Sequence, residues 1–471
     1  MSRRESAELG NKQMAGQWER VPSVVLHEIY LLLPTADQLR ASATCRHWRQ
    51  VFYQSFSPSK VTLRVRAGDQ NSCERSIFLA SCWGNKLRHA VTEFDSAKDG
   101  VAEIVADLLL LLAEKCCQLR SIALRPSYCR LLVPHRQPTF LDRRIMEPLR
   151  SIISKSKRLE LVNLGGLEDL APYLSELLQL LAVCHGKHLR TLHANTLKAI
   201  PQVYKIYDLD PGHFSRFTAL TELSLDYDYL TDKMLQVLSG QGKDLRVLNV
   251  FVHGVDEDLL PPSNQSWTAF SKQNENCELR LCLLFSCEAV EFLSSGLLQP
   301  SMPLTQLKVL FCEMISVEAL HLLYDWYWSK LTSLWWIDVS DENAPLDALE
   351  ISFGQPHPLV MVAWRCVNLR ELVVIGYDLL DDNIIAISRL RGALLKRLDI
   401  PESNIFFDEI PDGSPHDAKV KLVEDVSDSL QRKWAPLSNK DMPAALVNPS
   451  LEVTFKCYFK ALLSSKNKTC S

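Results

Sequence analysis

The chain has 471 residues, enough for a large core and, by length alone, for roughly two to four domains, although one repeat array can absorb many residues. Its 52 basic and 56 acidic residues leave a net charge of −4, so composition gives no general case for nucleic acid or a membrane surface as partner. Residues 1–10 (MSRRESAELG) are polar without a signal-peptide core, and the longest apolar run, 108–113, is far too short to cross a bilayer. The 14 cysteines therefore point to a reducing cytoplasmic or nuclear setting, with most thiols serving as small buried side chains.

In chain order, residues 1–17 are polar and read as a disordered N-terminus. The segment 18–65 reads as three short helices and a strand. Pro22 stands where a helix can begin without losing a hydrogen bond. Val25, Ile29 and Leu32 then fall at i, i+4 and i+7, a stripe that Leu26 and Leu33 widen and Pro34 ends. Asp37 is a candidate N-cap for a second helix carrying Leu39 and Ala43. Cys45, Trp48 and Phe52, at i, i+3 and i+7, mark a third. Three helices of this size bury little area and are marginal alone.

From Leu119 to Ile400 the chain repeats an amphipathic helix, a turn and L-x-x-L-x-L. The strand-like units start at Leu119, Leu159, Leu189, Leu220, Leu245, Leu307, Leu331, Leu369 and Leu395, with a weaker one near Leu279 and an earlier one at Leu87. Intervals run from 24 residues (Leu307 to Leu331) to 40 (Leu119 to Leu159), the irregular spacing of leucine-rich repeats. Helices are expected at 170–183, 232–238, 317–328 and 382–390. The fold class is α/β: a helical N-terminal unit (18–65), then an irregular solenoid (66–400) with parallel strands on its concave side and helices on its convex side. An ordinary α/β domain with short parallel strands is the alternative. The tail, 401–471, holds a helix-like stretch (418–430) and an apolar end (451–463).

In L-x-x-L-x-L the leucines point into the core and the third, fifth and seventh positions face outward. That places Phe251, Phe311, Trp335, Ile337, Val373 and Ile375 on the concave side, an apolar patch suited to a protein target. The same patch is equally suited to being covered by the chain's own tail. Arg397 is nearly alone as a cation there, which gives little support for reading a phosphorylated peptide.

No catalytic, cofactor or metal constellation emerges. Phosphate-binding glycine motifs are absent. His27-Glu28 has Leu31 where a zinc-protease helix needs its second histidine. His185 and His188 flank a turn, and Cys277, Cys282 and Cys287 lack a C-x-x-C pair.

The N-terminal segment resembles an F-box, through Val21-Pro22, Leu26, Ile29, Leu33-Pro34, Asp37, Leu39 and Cys45-Arg46-x-Trp48. Val21, Thr44 and Ser57 stand where that family usually has Leu, Val and Trp. Residues 33–50 and 356–409 resemble F-box proteins with a leucine-rich-repeat-like target domain. The resemblance implies a non-catalytic adaptor of a Skp1–cullin–F-box ubiquitin ligase. Skp1 would be bound through Pro22, Leu26, Ile29, Leu33, Leu39, Cys45 and Trp48, the cullin and RING subunits through Skp1, and a protein substrate through the repeats. Two other classes remain: a leucine-rich-repeat scaffold with no ligase role, and an unrecognised hydrolase.

Overall fold

The computed structural model describes residues 18–55, 60–131, 140–201, 203–240, 244–255, 260–338, 356–407, 415–438, 440–442 and 446. The expected disordered stretch 1–17 and the apolar end 451–463 lie outside them. Three helices open the described chain: α1 (Ser23–Leu32), α2 (Thr35–Ser42) and α3 (Arg46–Ser55). A twelve-stranded sheet follows. Its first six strands are β1 (Lys60–Val65), β2 (His89–Phe94), β3 (Ser121–Pro126), β4 (Leu161–Asn163), β5 (Thr191–His193) and β6 (Glu222–Asp226). Then come β7 (Val247–Val252), β8 (Glu278–Leu284), β9 (Leu304–Leu310), β10 (Ser333–Ile337) and β11 (Glu371–Ile375). The two-residue strands β12 (Leu379–Leu380) and β14 (Ile405–Phe406) pair separately, and β13 (Arg397–Asp399) closes the main sheet.

Every neighbouring pair is parallel, and spatial order follows chain order without reversal. A doubly wound α/β sheet reverses its strand order at a switch point. Strictly sequential order is that of a solenoid, in which each repeat rests on its neighbours. Lys60–Val65, read from sequence as part of the helical unit, pairs with β2 and is the first strand of this sheet.

One backbone device recurs at the strand starts. The carbonyl of Arg88 accepts from Arg120 and Ser121, that of Arg120 from Glu160 and Leu161, and that of Glu160 from Arg190 and Thr191. The carbonyls of Arg190, Thr221, Thr332 and Arg370 do the same one repeat later each time. Helix starts are equally repetitive: Thr231, Ser263, Ser286 and Ser316 each cap the helix that follows, accepting from the amide three residues on. The helices expected from periodicity are present at Asp232–Leu238, Val317–Trp326 and Asp381–Arg391, while the one expected over 170–183 is Leu174–His185, preceded by a 3₁₀ turn, Glu168–Tyr173.

One register differs from the reading by sequence. The unit at Leu307 begins three residues earlier: Leu304, Leu307 and Val309 enter the core, whereas Gln306, Lys308 and Leu310 alternate onto the opposite face. A shift of odd length exchanges the two faces of a strand. Phe311 therefore sits in the turn after β9 rather than on the strand. The β8–β9 pairing also shifts register between Leu279 and Arg280, which aligns Cys282 with Lys308.

The core between sheet and helices is continuous from Leu26 in α1 to Trp434. Phe52 and Tyr53 of α3 pack on Trp83 of α4 (Gln70–Trp83), with ring centroids 6.0 and 5.7 Å apart, and Tyr53 meets Phe78 at 6.0 Å. The three-helix unit is thereby fixed to the first repeat. At the other end, helix Pro415–Leu430 packs on Asp381–Arg391, and the Trp434 indole donates to the Leu398 carbonyl at 2.8 Å. Leu437 then bridges Pro401, its amide donating to the Ile400 carbonyl at 2.8 Å. Residues just beyond 400, assigned from sequence to a separate tail, thus complete the last repeat.

Candidate functional site

Two surfaces bear on function. The first is the helical unit. Its interior is organised by Tyr30, whose hydroxyl donates to the Trp48 carbonyl at 3.0 Å and whose ring meets Trp48 edge-on at 5.9 Å and Phe52 at 5.4 Å. Gln38 donates from Nε2 to the carbonyls of Tyr30 and Leu33 (2.7 and 2.8 Å), satisfying the C-terminal end of α1. The Trp48 indole donates to the Trp18 carbonyl at 2.8 Å, and the His47 ring lies 2.8 Å from the Val21 carbonyl. Cys45 precedes α3, and its thiol accepts from the Trp48 amide at 3.5 Å. Asp37 is not the cap of α2, which begins at Thr35 behind Pro34; it lies in the first turn and pairs with Arg40 at 2.9 Å.

The stripe expected on α1 is rotated. Leu26 and Tyr30 form its buried centre, with Ile29 and Leu33 at the margin, whereas Val25 and Leu32 face outward. Of the residues expected to meet a partner, Leu26 is fully buried (0% exposed) and offers nothing to one. Pro22 is exposed, and Ile29, Leu33, Cys45 and Trp48 are half-buried. Leu39 lies on α2 with its side chain outside the described set. Sequence reasoning left out Val24 and Leu31, which with Val25 and Leu32 make an exposed apolar strip at i, i+1, i+7 and i+8 of α1. Spacing supplied the signal, since both pairs repeat every two turns.

The second surface is the face of the sheet opposite the helices. Its half nearer the strand starts is polar and half-buried, with Glu222, Asn249, Arg280, Gln306, Glu371 and Arg397 in neighbouring strands. Asn249 donates to Ser224 Oγ at 3.0 Å, and Ser224 Oγ lies 2.6 Å from His193 Nδ1. Its half nearer the strand ends is apolar: Phe251, Trp335, Ile337, Val373 and Ile375 are all buried there in a second cluster with Cys282, Leu284 and Leu310. Leu437, Met442 and Leu446 pack against this cluster, as do Phe285 and Phe311, whose rings stack 5.4 Å apart at 21°. Both phenylalanines have left-handed φ, 53° and 58°, a conformation unfavourable for a side chain of that size. Five of the six residues read as an open apolar patch are thus buried, and the sixth, Phe311, packs against their cluster together with Phe285, Leu437, Met442 and Leu446; Cys129, Leu197 and Ala199, from the turns after β3 and β5, belong to the same cluster.

Several buried titratable groups elsewhere are committed to structure. His185 donates from Nε2 to the Ile153 carbonyl (2.8 Å) and accepts at Nδ1 from the Leu159 amide (3.3 Å); burial lowers its pKa. Lys198 and Asp226, both buried, pair at 3.1 Å, and Asp226 also accepts from the Thr196 amide (2.8 Å) and hydroxyl (2.5 Å). Burial pushes the Cys116, Cys129, Cys277 and Cys366 thiols up to about 12, away from the reactive thiolate. Among the described residues no three His, Cys, Asp or Glu side chains converge as a metal site, and no helix is long and apolar enough to cross a membrane.

Residues 18–57 match the F-box-like family model, over the three helices just described. Along 91% of its length the chain is similar to F-box only protein 33 of Mus musculus, at 26% identity over 84% of that protein. It is similar to the Homo sapiens F-box only protein 33 at 25% identity, over 91% of this chain and 85% of the relative. Among solved structures, the yeast Rad7–Elc1 complex contains a chain that aligns over 89% of this one and 99% of its own length, at 13% identity and a TM-score of 0.38.

Proposed function

We propose that this chain, an F-box-like segment joined to a leucine-rich-repeat-like solenoid and similar along most of its length to F-box only protein 33, is the substrate-recognition adaptor of a Skp1–cullin–F-box ubiquitin ligase. The observation that carries the proposal is the exposed strip Val24, Val25, Leu31 and Leu32 within that segment. A two-turn apolar strip facing solvent on a helix that packs through its other side, at Leu26 and Tyr30, is what a helix-groove partner buries. Pro22, Ile29 and Leu33 lie between the strip and the buried face of α1, and with Cys45 and Trp48 of the neighbouring helix turn they complete the contact with Skp1. The cullin and RING subunits join through Skp1, in the cytoplasm, the nucleus or both. The chain makes no bond itself; it holds a protein target at a fixed distance from the charged ubiquitin carrier, so its contribution is proximity. The aromatic joint at Phe52, Tyr53 and Trp83 supplies the rigidity this requires.

Co-purification with Skp1 tests the proposal. Leu32 is 85% exposed, so Leu32→Asp leaves folding nearly unchanged. Burying a leucine in a partner is worth about 1.5–3 kcal/mol, so its loss weakens capture roughly ten- to a hundredfold. Capture unaffected by Leu32→Asp and Val25→Asp would remove the strip from the interface. No capture by folded wild type would leave a leucine-rich-repeat scaffold without a ligase role.

A further inference from the structure

Lys308 occupies the middle of the face opposite the helices and is only 6% exposed. Among the described residues, no carboxylate lies within ion-pair distance of its ammonium. Its contact is the Trp335 indole, 3.9 Å from Nζ to the ring centroid. The Arg397 guanidinium lies 4.4 Å from the same centroid. The nearby carboxylates are engaged elsewhere. Glu278 holds Arg280 at 2.7 Å, Asp399 pairs with Arg397, and Glu371 accepts from Ser333 Oγ (2.9 Å) and Trp335 Nε1 (3.2 Å).

A buried cation is costly unless an anion accompanies it, and a cation–π contact compensates only part of that cost. We infer that Lys308, resting with Arg397 on Trp335 beside the strand that carries Arg280, is the receptor for one anionic side chain of a protein target, a carboxylate or a phosphoryl group. The inference rests on the adaptor reading for the identity of the partner as a target. It names the feature of the target that is read.

Location agrees with this. Lys308 and Trp335 sit on the border between the covered apolar half and the half-open polar half, and Arg280 and Arg397 are both partly exposed on the open side. An anion arriving over the polar half meets Lys308 on β9 and Arg397 on β13, both against one indole, with Arg280 on the neighbouring strand β8. Burial also lowers the Lys308 pKa, and an incoming anion would reverse that tendency. The expectation that Arg397 is nearly alone came from the displaced register of β9 and the shift at β8, which together bring Lys308 and Arg280 onto this face.

The test uses the full chain, immobilised, and four nonapeptide pools. The central residue is Glu, phosphoserine, Gln or Leu, and the flanks are randomised over neutral residues. The Glu or the phosphoserine pool is retained about ten- to a hundredfold over Gln and Leu, the range of a charge-assisted hydrogen bond. Preference for Glu identifies a carboxylate, preference for phosphoserine a phosphoryl group. In Lys308→Met the preference falls to within about twofold. Lys308→Gln and Arg397→Gln give the same direction if the methionine variant misfolds by circular dichroism. Equal retention of the four pools by wild type, or a preference that survives in the folded Lys308 variants, overturns the inference. Skp1 capture by the same preparations separates the two readings: capture without anion preference sinks the receptor alone, whereas anion preference without capture sinks the ligase role and leaves the receptor standing.

Discussion

Phe52→Ala probes the joint between the helical unit and the repeats. The ring is buried and meets Tyr30, Tyr53 and Trp83 at centroid distances of 5.4, 5.6 and 6.0 Å. Truncating a buried phenylalanine costs about 3–5 kcal/mol from lost transfer, lost aromatic contacts and the cavity left behind. The cost does not spread evenly. The three helices bury too little area to persist without the joint, whereas each strand of the sheet is held on both sides. Native-state hydrogen exchange reads the difference directly. Amides of α1 and α3 should exchange roughly a hundred- to a few-thousandfold faster in the variant, with amides of β6 to β11 unchanged. Uniform acceleration throughout would mean that the helical unit and solenoid unfold as one, and no acceleration in α1 would mean that the joint contributes nothing to the order of the unit.

Lys198→Met leaves the Asp226 carboxylate buried without its cation and should destabilise by about 3–5 kcal/mol in urea denaturation, while Lys198→Met/Asp226→Leu recovers most of the loss. Gly376 follows β11 with φ +90°, and a Cβ there would lie 2.5 Å from the Asp338 carbonyl oxygen, so Gly376→Ala should lower the thermal midpoint well beyond the effect of a surface Gly→Ala change. Stability should also fall in acid. Burial lowers the pKa of His253 and of His357 to about 4, below the unfolded value of about 6.5, so their contribution is complete above that value and lost as pH falls toward 4. Asp338, raised by burial to about 6, works the other way and gains as pH falls from 6 toward its unfolded value of about 3.9. Two groups outweigh one, so urea midpoints should drop between pH 7 and pH 4.5, and His253→Phe should reduce that drop.

The solenoid was legible because its signal is redundant. Apolar residues at Leu220, Leu223 and Leu225, or Leu369, Leu372 and Val374, announce a core face several times over, and these strands formed where the repeats place them. The unit at β9 was misread because LTQLKVL contains two overlapping leucine frames, Leu304–Leu307 and Leu307–Leu310. Only packing against β8 and β10 chooses between them. On α1 the stripe was misplaced by part of a turn, since Val24, Val25, Leu26, Ile29, Leu31, Leu32 and Leu33 leave almost no polar face to orient the helix. Tyr30, counted with neither face, turned out to be the pivot: its hydroxyl and ring both belong to α3. The covering of the apolar half of the sheet face was not decidable from local pattern. It depends on packing between β10 or β11 and residues roughly 60 to 110 positions later, and periodicity does not report contacts at that range.

The most direct test of the account is a hydrogen-exchange footprint of the purified chain with and without Skp1. The account predicts protection confined to α1 and its borders, from Pro22 to Pro34 and around Cys45 to Trp48, with the strands of the sheet unaffected. Absence of protection on α1, or protection centred on the repeats, would contradict it.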